Sequence, residues 1–228
     1  MEIVVVTYNI QRGWGLDLRR DLDRAAGVLA RIAPDVVAVQ EVTREEGTER
    51  GDQAAYLARA LGMQFVRYEA RPHGRGTYGH AILTRFPVVA TESCDLTVGR
   101  GEARGCLRAD VRAGEQLLHV FGCHLGLGLR ERRQQVRTLL AFLRRAPVGH
   151  RVLMGDMNEW HAGPVMRELS RELGSVAHRP RTHPAFAPVF ALDRIHWDVP
   201  LRGRIHAYRE RPARLASDHL PLVATLRF

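Results

Sequence analysis

The chain has 228 residues, 45% of them hydrophobic and 26% charged, a composition that suits a folded globular protein with a real core and excludes wholesale disorder. Formal net charge is +9, and all 34 basic residues are arginine, which favours an anionic partner such as nucleic acid, a phosphorylated metabolite or an anionic lipid head. The complete absence of lysine also looks like a proteome-wide bias, so charge alone does not choose among these partners.

The opening run EIVVVTYNI reads as a buried strand. It carries neither the basic segment nor the cleavage site of a signal peptide. No apolar stretch is long enough to span a membrane, so a cytoplasmic protein is expected. Leu22, Ala25, Ala26, Leu29 and Ile32 repeat at helical spacing until Pro34, and DVVAVQEV follows as a second buried strand. Strand, helix, strand predicts a parallel pair. DQAAYLARALG is a short helix closed by Gly62. MQFVRYEA and GHAILTRFPVVATES are strands, the second broken at Pro87. GCLRADVRAGEQLLHVFGCHL is a hairpin turning at Ala113 and Gly114. LRERRQQVRTLLAFLRRA is an amphipathic helix, RVLMGDMN a strand, and residues 163–173 a short helix. A loop rich in proline and histidine spans 178–190, and FALDRIHWDV, GRIHAYRE and PLVATLRF close the chain as strands. Cys94, Cys106 and Cys123 lie in or beside apolar runs and form no CxxC, so they read as reduced core thiols. With no linker and no repeat, residues 1–228 are expected to form a single α/β domain. Two mixed sheets packed face to face with helices outside accommodate the order.

The polar residues that end these strands ask for a common explanation. In VLMGDMNEW, Asp156 and Asn158 are two apart, so an extended chain projects them to one side. Asn9 ends the first strand, Glu41 the second and His124 the hairpin. Asp193 opens LDRIHW, and Asp218 and His219 precede the last strand. Each alone is an ordinary turn or cap. Together they place three Asp, one Glu, two Asn and two His at strand ends, where α/β sheets hold their ligand clefts. Oxygen donors without cysteine suit Mg²⁺ or Mn²⁺. Free carboxylate and imidazole add acid and base groups, which points to metal-assisted phosphoester hydrolysis. There is no P-loop and no HExxH, which removes NTP-driven and zincin chemistry. HLGLG and GRGTYG are read as loops.

The ordered series TYNI, QEV, YGHAILTRFP, CHLGL, GDMNE, LDRI and SDHLPL, from residue 7 to 222, resembles the endonuclease/exonuclease/phosphatase superfamily. That metal-dependent group holds DNase-I-like nucleases, abasic-site endonucleases, neutral sphingomyelinases and inositol polyphosphate phosphatases. The length and the loop RPRTHPAFAPVFALDRI are most similar to its short bacterial members. The resemblance implies a four-layer α/β sandwich and the following roles. Glu41 is the main metal carboxylate, with Asn9 beside it holding metal or phosphate and Asp218 a second acid near the metal or the nucleophile. Asp156 aims or deprotonates the attacking water, and Asn158 contacts the phosphate. His219 contacts the phosphoryl oxygens and is oriented by Asp193. His124 is a general acid or transition-state donor. Arg104 matches a position that faces phosphate, with a surface salt bridge as the alternative.

Two departures stand out. His80 occupies a place where the family often has Asn, and it either contacts substrate differently or fills that space. The aromatic-rich insertions that grip DNA have no counterpart, which counts against a dedicated repair role. His178, His183 and His196 read as surface or loop residues. RERRQQVR reads as a solvated helix face, with a nucleic-acid groove as the sharper alternative. Trp14, Trp160 and Trp197 read as packing residues, the first two with a second reading as cleft lining. No hydrophobic membrane-docking loop is apparent. The expected protein is a Mg²⁺-dependent phosphoester hydrolase of the phosphodiesterase or nuclease type. A small-molecule phosphatase and a sphingomyelinase-like lipid phosphodiesterase are the alternatives. A non-catalytic binding module would need a degraded site, and every key position is filled.

Overall fold

A computed structural model of the chain describes residues 1–45, 51–161, 163–174 and 179–228. One mixed sheet holds six strands: β1 (Glu2–Asn9), β2 (Val36–Glu45), β3 (Gln64–His73), β4 (Gly76–Thr84), β10 (Arg202–Ala207) and β11 (Leu222–Arg227), in the order β10-β11-β1-β2-β4-β3. The other runs in sequence order through β5 (Val88–Asp95), β6 (Gly105–Ala113), β7 (Gln116–His124), β8 (His150–Asp156) and β9 (Asp193–Trp197). The pairs β1–β2 and β7–β8 are parallel, each joined through a helix, and the remaining pairs are antiparallel.

The helices are α1 (Leu22–Ile32), α2 (Gln53–Leu61), α3 (Leu129–Arg144), α4 (Pro164–Leu173) and the short α5 (Ala213–Ala216). Their ends follow local chemistry. Asp21 and Asp52 accept from the first-turn amides of Asp23 and Ala55, capping α1 and α2. Gly62 ends α2 in the left-handed conformation at φ 64°. Pro164 opens α4, where its missing N–H costs nothing.

Period-two alternation divides the apolar residues into layers. Ile3, Val5, Ala38, Ile82, Val120, Val152 and Met154 fill the space between the sheets. Val6, Tyr8, Val37 and Val39 face the other way, onto α1 and α2. Phe121, Cys123 and Leu153 face α3 and α4 with Leu139, Leu143 and Leu169. Helix, sheet, sheet, helix is the expected four-layer sandwich. Each buried Val, Leu, Ile or Met contributes about 1.5–3 kcal/mol. The sheets approach closely at Gly122, where a Cβ would lie 3.1 Å from Ile82.

Several local expectations change. The break at Pro87 is where the chain leaves one sheet for the other, since β4 and β5 lie in different sheets. The hairpin turns at Gly114 and Glu115, one residue later than read. His196 is buried on the outer face of β9, and Trp197 packs into the layer between the sheets. His178 lies outside the described residues. In RERRQQVR the face is only partly solvated, because Arg132 and Gln135 are buried. All three cysteines are free, Cys106 and Cys123 buried and Cys94 half-buried.

Candidate active site

The inner faces turn polar toward one end of the sheets. On β1 the inward series Ile3, Val5 continues as Thr7 and Asn9, and on β8 the series Val152, Met154 ends at Asp156. The parallel register sets Asp156 beside His124, and the antiparallel register sets it beside Asp193. On β2 alternation alone would send Glu41 outward with Val37 and Val39. A bulge between Gln40 and Val42 resets the register, and Glu41 takes φ 58°. Its carboxylate then meets the inward Asn9.

Asp156 is the hub. Its Oδ2 accepts from Asn9 Nδ2 at 3.2 Å and lies 3.6 Å from His124 Nε2 and 3.7 Å from His219 Nε2. Its Oδ1 accepts from the Asn158 amide at 2.9 Å. The pairing with Asn158 is made by a turn and not by the pleat, since β8 ends at Asp156 and Asn158 is left-handed at φ 48°. Asn158 also donates its side-chain amide to the Leu125 carbonyl at 2.8 Å, which joins the loops after β7 and β8. Asn9 is a bracket: it also donates to Glu41 at 3.1 Å, and its own oxygen accepts from the Gln11 amide.

Asp193 Oδ2 accepts from His219 Nδ1 at 2.8 Å and from the Thr182 hydroxyl. Burial opposes charge on His219, but the carboxylates of Asp193, Asp156 and Asp218 outweigh it and push its pKa up to about 10. These carboxylates favour the charged form of His219, and its Nε2 lies on the side of Asp156, at 3.7 Å. His124 is the opposite case. Burial pushes it down to about 3, against the pull of Asp156. Arg104 has only donors and lies 3.1 Å from His124 Nδ1, so His124 accepts there and carries its proton on Nε2, toward Asp156. Arg104 is itself buried but makes an ion pair with the exposed Glu102 at 2.8 Å, so the salt bridge is present beside the contact with His124. His80 is buried and stacked on Tyr68 at 5.1 Å, and burial pushes it down to about 4. It lines a small indentation with Tyr78, Arg104 and His124.

Burial raises the pKa of Glu41, the Asn9 amide opposes that, and the charges of Asp218 and Asp156 raise it further. Carboxylates crowded this way are short of positive charge. The buried Asp193 Oδ1 has no hydrogen-bond partner among the described residues. Oxygen donors in this state fit a hard divalent cation. Ligand atoms of Asp156, Asp193 and His219, and likewise of His183, Asp218 and His219, lie within 4.8 Å of one another. Glu41 adds a further carboxylate beside these groups, close enough to Asp218 and Asp156 to feel their charge.

The structure adds residues that sequence reasoning passed over. His183, read as a loop residue, has its ring 4.8 Å from that of His219, and its Nε2 lies 3.9 Å from Asp218. Arg12 Nε lies 4.0 Å from Glu41. Ser217 donates to the Asn9 carbonyl at 2.7 Å and ties the SDH segment to β1. Gln11, Arg12, Glu41 and Asn158 all hold positive φ without being glycine, strain that gathers at functional sites.

A profile of the endonuclease/exonuclease/phosphatase family matches residues 6–226. The chain belongs to this family. A curated relative, the uncharacterized protein YbhP of Escherichia coli K12, is 30% identical over 97% of this chain and 95% of its own length. Among solved structures, the Beutenbergia cavernae endonuclease/exonuclease/phosphatase superposes with TM-score 0.82 at 23% identity, covering 100% of this chain and 72% of that one. A Bacteroides thetaiotaomicron mannosyl-6-phosphatase reaches 0.80 at 17% identity, covering 99% and 100%. Danio rerio TDP2 carrying 14 humanizing mutations reaches 0.76 at 22% identity, covering 100% and 99%. At these identities the structures share the family's fold with this chain. Its helices include none long and apolar enough to cross a membrane, among the described residues.

Proposed function

We propose that the chain, acting as one domain, is a phosphoester hydrolase of the phosphodiesterase type that requires Mg²⁺ or Mn²⁺. The observation that carries this reading is the convergence of Asn9, His124 and His219 on Asp156 Oδ2. Asn9 fixes this buried carboxylate by a hydrogen bond, with the two imidazoles just beyond that distance, so it is placed to accept a proton from a water in a fixed direction. Asp156 aims that water at phosphorus, in line with the leaving oxygen. Asp193 orients and favours charge on His219, and the Nε2 atoms of His219 and His124, neither within hydrogen-bond distance of Asp156, are left to donate to the phosphoryl oxygens. Asn158 presents its half-buried side chain to the ester. Arg104 fixes the His124 tautomer, and with His80 borders the substrate. Glu41 and Asp218 would hold the cation, with Asn9 bracing Glu41. When bound, that cation supplies positive charge against the phosphoryl oxygens.

The test is hydrolysis of bis(p-nitrophenyl) phosphate and nicking of supercoiled plasmid, in Mg²⁺ and in EDTA, by wild type and Asp156→Ala. The reading expects metal-dependent release of nitrophenol that the variant lacks. Turnover equal in EDTA overturns it. Plasmid nicking assigns a nuclease, and its absence beside active diester cleavage moves the substrate to smaller or lipid-borne esters.

A further inference from the structure

Exposed apolar side chains are distributed unevenly between the two ends of the sheets. Among the described residues nine large hydrophobic side chains are more than half exposed, and six stand at the site end: Leu18, Leu127, Trp160, Phe186, Val189 and Leu215. Topology fixes that placement. Leu18, Leu127 and Trp160 follow Asn9, His124 and Asp156 out of β1, β7 and β8. Phe186 and Val189 precede β9, whose first residue pairs with Asp156. Leu215 precedes β11, and its carbonyl accepts from the Leu16 amide at 3.1 Å. The other three, Met1, Val148 and Val199, lie at the opposite end, before β1, β8 and β10.

Arginines are interleaved with the six. Arg19, Arg130, Arg181 and Arg214 are exposed in or beside the same loops. The rim is also continuous with the cleft. Trp160 packs edge-on against Phe190 at 5.0 Å, Phe190 stacks with His183 at 6.3 Å, and His183 lies against His219. The sequence showed no docking loop because the six residues are spread over four loops and the short α5, with at most two in any one.

The bias of exposed apolar side chains to the cleft end, six against three, singles out that end as an interaction surface. Apolar tips among arginines fit an anionic bilayer, where the tips enter the acyl boundary and the guanidinium groups stay with the lipid phosphates. Nucleic acid would use the arginines and Trp160 but leave Leu18, Leu127, Val189 and Leu215 in water. We propose that this face docks on an anionic lipid bilayer with the cleft turned toward the headgroups. Resting on the hydrolase reading, this makes lipid-borne phosphate esters the substrate class.

The test is co-sedimentation with phosphatidylglycerol or phosphatidylcholine vesicles, in EDTA so that no turnover is involved. Wild type should sediment with phosphatidylglycerol and show a blue shift of tryptophan emission that Trp160→Phe reduces. Leu127→Glu with Phe186→Glu should weaken binding about ten-fold. Val148→Glu with Val199→Glu, the same charge change at the opposite end, should leave it unchanged. Circular dichroism checks that both pairs are folded. No sedimentation with phosphatidylglycerol, or equal losses from the two pairs, overturns the proposal. So does a first pair that loses duplex DNA binding while keeping the vesicles. Failure here leaves diester hydrolysis untouched, and an inactive enzyme that still sediments leaves the docking surface standing.

Discussion

The layer between the two sheets has an apolar half and a polar half, built on the same strands and the same side of each pleat. In one half β1, β2, β7 and β8 present Val5, Ala38, Val120 and Met154. A few residues further along, the same faces present Asn9, Gln40, His124 and Asp156, all buried. The difference lies in what compensates burial. The apolar half gains from leaving water. The polar half gains only where each group finds a partner, which is why Asp156 has Asn9 and Asn158 and His219 has Asp193. A site built as a continuation of the core inherits the core's fixed geometry.

The comparison predicts separable effects two residues apart on β8. Asp156→Ala should lower diester turnover about a thousand-fold while leaving a folded protein, by steady-state rates and circular dichroism. Met154→Ala should do the reverse, costing about 2–5 kcal/mol in urea unfolding with little change in turnover per folded molecule. An activity loss in Met154→Ala as large as that of Asp156→Ala would erase the boundary between the halves.

Acid sensitivity sharpens the contrast, because a titration outside the site belongs to the fold. Burial, with Arg194 nearby, pushes His196 down to about 4. The unfolded residue titrates near about 6.5. Between those values the unfolded chain binds the extra proton, so this contribution to stability falls as pH drops through the window, by up to about 3 kcal/mol. His196→Leu should flatten that part of the stability profile, measured by unfolding at several pH values. An unchanged slope would assign the sensitivity to the site histidines instead.

The smallest effect separates function from local strain. Glu41 holds a left-handed backbone, so Glu41→Gly should stabilise the fold by up to about 1 kcal/mol while abolishing metal-dependent turnover. A destabilised variant would mean that the carboxylate contacts outweigh the backbone strain.

How far the sequence reached follows from what its patterns encode. The strands, the helices and the inward alternation up to Asn9 and Asp156 were legible because period two and period 3.6 are local. The polar strand ends and their family motifs named the residues that the structure gathers around Asp156. Glu41 is legible as the polar end of its strand and by motif, but not by alternation, which without the bulge sends it outward. Asn158 was paired with Asp156 for the wrong reason, extended chain where there is a turn. His183 and Arg12 were missed because nothing local marks them, and only the fold carries the 179–192 loop to His219. The Thr182–Asp193 and Ser217–Asn9 bonds were signals of the same kind, hydroxyls beside motifs with partners far away in sequence. The exposed rim was invisible because its side chains come from four separate loops and the short α5.

The central claim is that the polar half of the layer is a metal-dependent phosphoester hydrolase. The most direct measurement is the rate of bis(p-nitrophenyl) phosphate hydrolysis by EDTA-stripped protein as Mg²⁺ is added back, with Asp156→Ala beside it. A saturable return of rate is expected in the wild type and none in the variant. A rate that ignores Mg²⁺ and Mn²⁺ alike, or that survives in Asp156→Ala, would contradict it.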